Sequence, residues 1–152
     1  MKILFLDIDG VLNSHKWYEH NKDEIALQSG LMWRHVEELD PAACRLVNEL
    51  CMSESLSIVI SSTWRRLHTI GEIQMMFAMR GLHAPVISAT GQIRSGFRGK
   101  EIEEWLAMHS GVDKYVILDD DSDFIPGQPL VQTSWSTGVQ QVHIDIAREL
   151  VN

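Results

Sequence analysis

The chain has 152 residues, with 13 Lys and Arg against 21 Asp and Glu, a formal charge of −8 and 45% hydrophobic residues. A chain of this length buries roughly 70% of its unfolded surface as one domain, which leaves no room for two full domains, and its composition excludes intrinsic disorder. The acidic sign counts against a non-specific nucleic-acid binder, which carries a basic stripe.

The longest apolar run near the start, residues 3–6, is cut off by Asp7 and Asp9 and is too short for a signal peptide or membrane span. That run reads as a first strand. The stretch 13–38 follows, with mixed charge and weak periodicity. Compact domains carry connections of this length as lids or binding loops, and a small hairpin or helix inside it is compatible with the pattern. Trp17, Tyr18 and Trp33 within it are able to stack on a base.

Asp40-Pro41 then supplies an N-cap and a proline at the first helical position, before Ala43, Leu46, Val47 and Leu50 at helical spacing. Cys44 and Cys51 fall on this helix about 10 Å apart along its axis, beyond the Cα separation of about 7 Å that a disulfide tolerates. They read as buried free thiols, and a reducing cytoplasm is the expected compartment.

Residues 58–60 form a second strand. Ile70, Ile73, Met76 and Phe77 predict a helix ended by Arg80-Gly81. Residues 84–87 are a weaker strand, Ile102, Trp105, Leu106 and His109 mark a helix, and residues 115–118 a further strand. Leu130–Gln132 is a last weak strand, and a helix spans 139–150. This alternation predicts an α/β domain with a parallel sheet.

Three of the apolar runs end in polar clusters: Asp7-Ile8-Asp9-Gly10, Ser61-Ser62-Thr63 and Asp119-Asp120-Asp121. In an open parallel sheet all C-terminal strand ends share one edge, where ligands bind, so the three clusters converge. Asp7, Asp9, Asp119 and Asp120 together are repulsive unless a cation joins them, and oxygen-only donors favour Mg²⁺. An EF-hand is excluded, because Phe124 stands where its loop needs glycine and Leu130 where it needs glutamate. Lys100 opens a helix, where the macrodipole disfavours a cation, and an anion at the site offsets that cost. Arg94 and Arg98 in the glycine-flanked run beside it extend the anion pocket. Asp7, Asp9, Asp119, Asp120, Asp121 and Asp123 alone account for six of the eight net negative charges. The acidity is therefore largely local, which weakens the case against nucleic acid.

In order along the chain, Asp7-Ile8-Asp9-Gly10-Val11-Leu12-Asn13, Ser61 after an apolar strand, Lys100 opening a helix and Leu118-Asp119-Asp120 resemble the four motifs of the haloacid dehalogenase (HAD) superfamily of phosphotransferases. The phrasing Ser61-Ser62-Thr63-Trp64-Arg65 and the compact size are similar to phosphatase-like domains of RNA and DNA end repair, including those of Swiss Army Knife RNA repair proteins.

The resemblance implies a Rossmann-like, HAD-type three-layer sandwich around a central parallel sheet, one domain over 1–152 with 13–38 as a lid or flap. The intervals between motifs are too short for a large cap. A receiver domain has its lysine at the end of the last strand, whereas Lys100 precedes the acidic pair.

The implied activity is Mg²⁺-dependent hydrolysis of phosphomonoesters through an aspartyl-phosphate, with nucleic-acid ends or nucleotides as phosphorylated partners and no membrane. Asp7 resembles the nucleophile and Asp9 the general acid and base. Ser61 resembles the hydroxyl that holds the transferred phosphoryl, with Ser62 as the alternative, and Lys100 the steadying cation. Asp119 and Asp120, with Asp7 and the Asp9 carbonyl, resemble the Mg²⁺ ligands, Asp120 being the preferred direct one and Asp123 a support. Gly10, Asn13, Ser62, Arg65, Arg94 and Arg98 complete the expected substrate-binding set. A nucleotidase for free nucleoside monophosphates and a non-catalytic phosphate-binding module on the same scaffold are the two other readings.

Overall fold

A computed structural model describes residues 1–93 and 96–152. Five parallel strands form the sheet: β1 (Lys2–Leu6), β2 (Leu56–Ile60), β3 (Val86–Ala89), β4 (Lys114–Asp119) and β5 (Leu130–Gln132), in the order β3-β2-β1-β4-β5. The four apolar residues of β1 are fully buried because both faces of the sheet are covered. Alternation sorts them. Leu4, Leu6, Ile58, Ile60, Val116 and Leu118 pack into the larger core, whereas Ile3, Phe5, Val59 and Ile117 join Ile102 and Trp105 in the smaller one. Phe5 meets the Trp105 ring edge-on at 5.4 Å.

The helices are α1 (His15–Leu27), α2 (Leu31–Glu38), α3 (Pro41–Glu54), α4 (Ile70–Met79), α5 (Arg98–Met108) and α6 (Gln141–Val151). The larger core draws on α3, α4 and α6, and the smaller on α5, so the architecture is a three-layer α/β sandwich without a large cap. Among the described residues no helix is long and apolar enough to cross a membrane.

Local chemistry explains the boundaries. Asp40 accepts from the Ala42 N–H at 2.8 Å ahead of Pro41, the expected cap of α3. Thr69 and Glu72 cap α4 reciprocally. Cys44 and Cys51 are free and buried, and burial pushes each thiol up to about 12.

One element departs from the expectation and another fills in what it left open. The weaker strand at 84–87 begins later, at Val86, because Pro85 has no N–H to give a ladder; its carbonyl instead accepts from Ile58. The stretch 13–38 is also no simple loop. It folds as α1 and α2, with the Ser14 hydroxyl accepting from the Trp17 N–H at 3.1 Å, and α2 packs on α4. Only Ile25 of α1 is buried, so the helix carries almost no apolar stripe for a sequence to display. Trp17 donates its indole N–H to the Glu37 carbonyl at 3.1 Å and Tyr18 accepts from Arg34, both holding the helical pair together. Trp33 is left half exposed.

Candidate active site

Register places the site. Leu6 of β1 pairs with Ile60 of β2 and Leu118 of β4, so Asp7, Ser61 and Asp119 emerge at one level of the C-terminal edge. Backbone bonds fix them there: the Asp7 N–H donates to the Leu118 carbonyl and the Ser61 N–H to the Leu6 carbonyl, each at 3.0 Å. All three residues are buried.

The chain turns sharply at Gly10, whose φ of +83° suits glycine. A Cβ there would lie 2.3 Å from the Asp120 carboxylate, so glycine lets the first loop nest against the fourth strand's end. Asp7, Asp119 and Asp120 each bring a carboxylate oxygen within 4.8 Å of the others. Burial pushes Asp7 up to about 6 against the opposing Arg98 charge. Burial, reinforced by Asp7, takes Asp119 up to about 7, and Asp120 is raised in the same direction by its own burial. Three hard oxygen donors that resist holding their charges together are a donor set that fits a divalent cation.

The Asp9 side chain stands apart from that cluster. One of its oxygens accepts from Asn13 Nδ2 at 2.8 Å and the other from Trp64 Nε1 at 3.1 Å. Asn13, expected to touch substrate, is spent on shaping this loop, since its Oδ1 also accepts from the Gly10 N–H at 2.9 Å. Trp64 is a site residue the sequence reading did not assign, and nothing local to its position signals a bond to the first loop.

The two serines separate cleanly. Ser62 Oγ accepts from the Trp64 N–H at 3.3 Å and caps a short 3-10 turn, Thr63–Arg66. Ser61 Oγ is buried with no partner among the described residues. An orphaned hydroxyl at the level of Asp7 is what an incoming phosphoryl oxygen would satisfy.

Among the described residues, the cation beside the Asp7 and Asp119 carboxylates is Arg98. Its Nη1 lies 3.1 Å from Asp7, 2.6 Å from Asp119 and 3.2 Å from the Ser61 carbonyl. Burial works against its charge, but Asp7 and Asp119 outweigh that and raise its pKa. Its helix is held by Asp123, whose carboxylate accepts from the Arg98 N–H and whose carbonyl accepts from the Gly99 N–H, both at 3.1 Å. Gly99 packs so closely on the loop after β4 that a Cβ would lie 2.6 Å from the Ile125 nitrogen.

Lys100, the expected cation, is not brought to the carboxylates: its Nζ pairs with Glu103 at 3.0 Å and the side chain is 54% exposed. Two residues along a helix turn about 200°, so Arg98 and Lys100 cannot face the same partner. Lys100→Met is therefore expected to change stability by less than about 0.5 kcal/mol in a denaturant titration. A loss well above about 1 kcal/mol would return the lysine to the carboxylates.

Arg65, expected to bind substrate, donates to the Ser62 carbonyl at 2.7 Å and to Glu101 at 2.9 Å. Glu101, 4% exposed, was not legible as a site neighbour. Arg94 lies outside the described residues.

Neither a curated protein nor a solved structure matches the chain. A family model does, over residues 3–144, nearly the whole sequence and every site residue above. The chain belongs to the family of HAD domains in Swiss Army Knife RNA repair proteins.

Proposed function

We propose that the chain is a Mg²⁺-dependent phosphomonoesterase that removes terminal phosphates from nucleic-acid strands through an aspartyl-phosphate on Asp7. The observation that carries this reading is the meeting of Asp7 and the orphaned Ser61 hydroxyl, both placed by strand register, with the Arg98 guanidinium that α5 brings to them. A carboxylate suited to nucleophilic attack, a hydroxyl free to bond a phosphoryl oxygen and a cation to offset charge support it.

The Asp7 carboxylate attacks phosphorus as the bond to the leaving oxygen breaks, and Asp9 supplies the proton that this oxygen takes. Asp9 then removes a proton from water, which attacks phosphorus and frees Asp7 and inorganic phosphate. The carboxylate splits one difficult displacement into two easier ones. Asn13 and Trp64 fix the Asp9 carboxylate in place, and Arg98 counters charge at Asp7. Asp7, Asp119 and Asp120 would hold Mg²⁺, which when bound neutralises charge on the phosphoryl group.

The test is a panel of p-nitrophenyl phosphate, nucleoside monophosphates and 3′- or 5′-phosphorylated oligonucleotides, each assayed with Mg²⁺ and after chelation. Phosphate release that needs Mg²⁺ and favours oligonucleotides is expected. Preference for free nucleoside monophosphates would replace the strand reading with a nucleotidase, and no release from any ester would leave a non-catalytic phosphate-binding module.

A further inference from the structure

Beside the reacting edge lies an open depression of about 540 Å³ lined by Arg65, Arg66, Ala89, Thr90 and Gln92. It sits where β3 ends, on the same edge of the sheet as Asp7. Among the described residues its lining contains two guanidiniums and no carboxylate, in a chain of net charge −8. We infer that this depression is a second anion subsite, which takes the phosphodiester adjoining the terminal phosphate of a nucleic-acid strand; the inference rests on the phosphatase reading above.

The inner wall is Arg65. Its side chain is 9% exposed and held by Glu101 at 2.9 Å. Its Nη1 is bonded to the Ser62 carbonyl at 2.7 Å, and its Nε is buried without an acceptor among the described residues. Glu101 offsets its charge, so Arg65 alone is a poor anion trap.

The free charge belongs to Arg66, which is exposed and has no carboxylate partner among the described residues. With its amide oxygen turned toward the guanidinium, Gln92 accepts from Arg66 Nη2 at 3.0 Å. A neutral partner orients the arginine without neutralising it. A planar guanidinium held in this way is suited to two phosphate oxygens at once.

Location supplies the link to the first site. Arg98 bonds the Ser61 carbonyl and Arg65 the Ser62 carbonyl, and neighbouring residues are about 3.8 Å apart along the chain. The two guanidiniums therefore grip consecutive peptides. An anion in the depression and one at Asp7 are close enough to belong to one strand. The depression also has the size of a site for a nucleotide-scale group rather than a lone ion.

Two measurements test this in the full chain, with Arg66→Gln and Gln92→Glu as variants. The first compares kcat/KM on a short 3′- or 5′-phosphorylated oligoribonucleotide with that on the nucleoside monophosphate carrying the same terminal phosphate. Either variant is expected to lower the oligonucleotide-to-mononucleotide ratio about tenfold, because a charge-assisted phosphate contact is lost or countered. An unchanged ratio overturns the subsite.

The second uses a fluorescent single-stranded oligoribonucleotide without a terminal phosphate, followed by anisotropy against salt. Arg66→Gln is expected to weaken binding about tenfold and to flatten the slope of log affinity against log salt by about 0.7. Equal affinity and slope in both proteins overturn the subsite even where no ester is hydrolysed. Hydrolysis that fails while binding follows Arg66 instead defeats the phosphatase reading and keeps the subsite. Gln92→Glu preserves both arginines, so a matching loss in that variant separates lost charge from lost folding.

Discussion

Asp7→Asn is expected to abolish phosphate release from every ester, by on the order of 10⁴-fold or more, the scale on which removing a nucleophile acts. An amide in that place cannot displace the leaving group, and the remaining groups only bind and polarise the ester. The protein should nevertheless fold. The substitution is close to isosteric, and it removes a carboxylate whose charge is costly where it lies: burial pushes Asp7 up to about 6 and, reinforced by Asp7, pushes Asp119 up to about 7. Arg98 keeps its 2.6 Å bond to Asp119. The melting temperature without metal should therefore be equal to or above that of the parent. Residual turnover within about tenfold of the parent would show that Asp7 is not the attacking group.

Arg98→Met should produce the largest loss of stability. It preserves the length of the stem but strips two buried carboxylates of their cation, and breaking a buried pair by removing one partner costs about 3 kcal/mol or more. For a domain of this size that corresponds to a fall in Tm of roughly 6–12 °C.

The penalty should depend on pH in a definite direction. Asp7 and Asp119 have folded-state pKa values of about 6 and about 7 against an ordinary 3.8. Groups raised in this way bind protons more tightly in the folded chain, so the metal-free protein loses stability as pH rises from about 4 to about 7. Without Arg98 both values rise further. The difference between variant and parent is then small near pH 5, where both carboxylates are protonated, and opens above about pH 6. Melting curves between pH 5 and 8 read this out, and a difference constant over that range would mean that Arg98 acts through packing alone. Saturating Mg²⁺ at pH 8 should recover part of the loss, since a ligand of the native state stabilises it.

The three central strands were legible because β1, β2 and β4 are continuous apolar runs closed by polar clusters, and the site was legible because those clusters share an edge; the short outer strands β3 and β5 carry a weaker signal. Asp7, Ser61 and Asp119 needed no more than the parallel register to meet. The guanidinium beside Asp7 and Asp119 belongs to Arg98, two positions before the lysine that the resemblance implies, while Lys100 pairs with Glu103. Arg98 and Lys100 occupy the same first turn of α5, and a sequence does not state which face of that turn looks inward. The Asp123 cap, which fixes that face, reaches back from the loop after β4.

The polar helices of 13–38 were hidden for a different reason. Polar contacts such as Trp17 with Glu37 hold α1, which buries only Ile25; α2 does carry an apolar face, Met32 and Val36 beside His35 stacked on Trp64 at 4.1 Å, but it lasts barely two turns within a charged stretch. Trp64 and Glu101 escaped because each acts through a bond to a residue far away in sequence.

The nesting of Gly10 against Asp120 bears on how the molecule comes to be assembled. Thr133 Oγ1 also donates to the Gly10 carbonyl at 2.6 Å, so the loop that follows Asp7 is shaped by residues from the opposite end of the chain. Contacts of such high contact order form only after the intervening polypeptide has closed on itself. The three carboxylates consequently have no common place in a partly folded chain, and capacity to bind a cation should appear together with completion of the sheet. A refolding experiment that followed metal uptake would thus be timing the arrival of β4 beside β1.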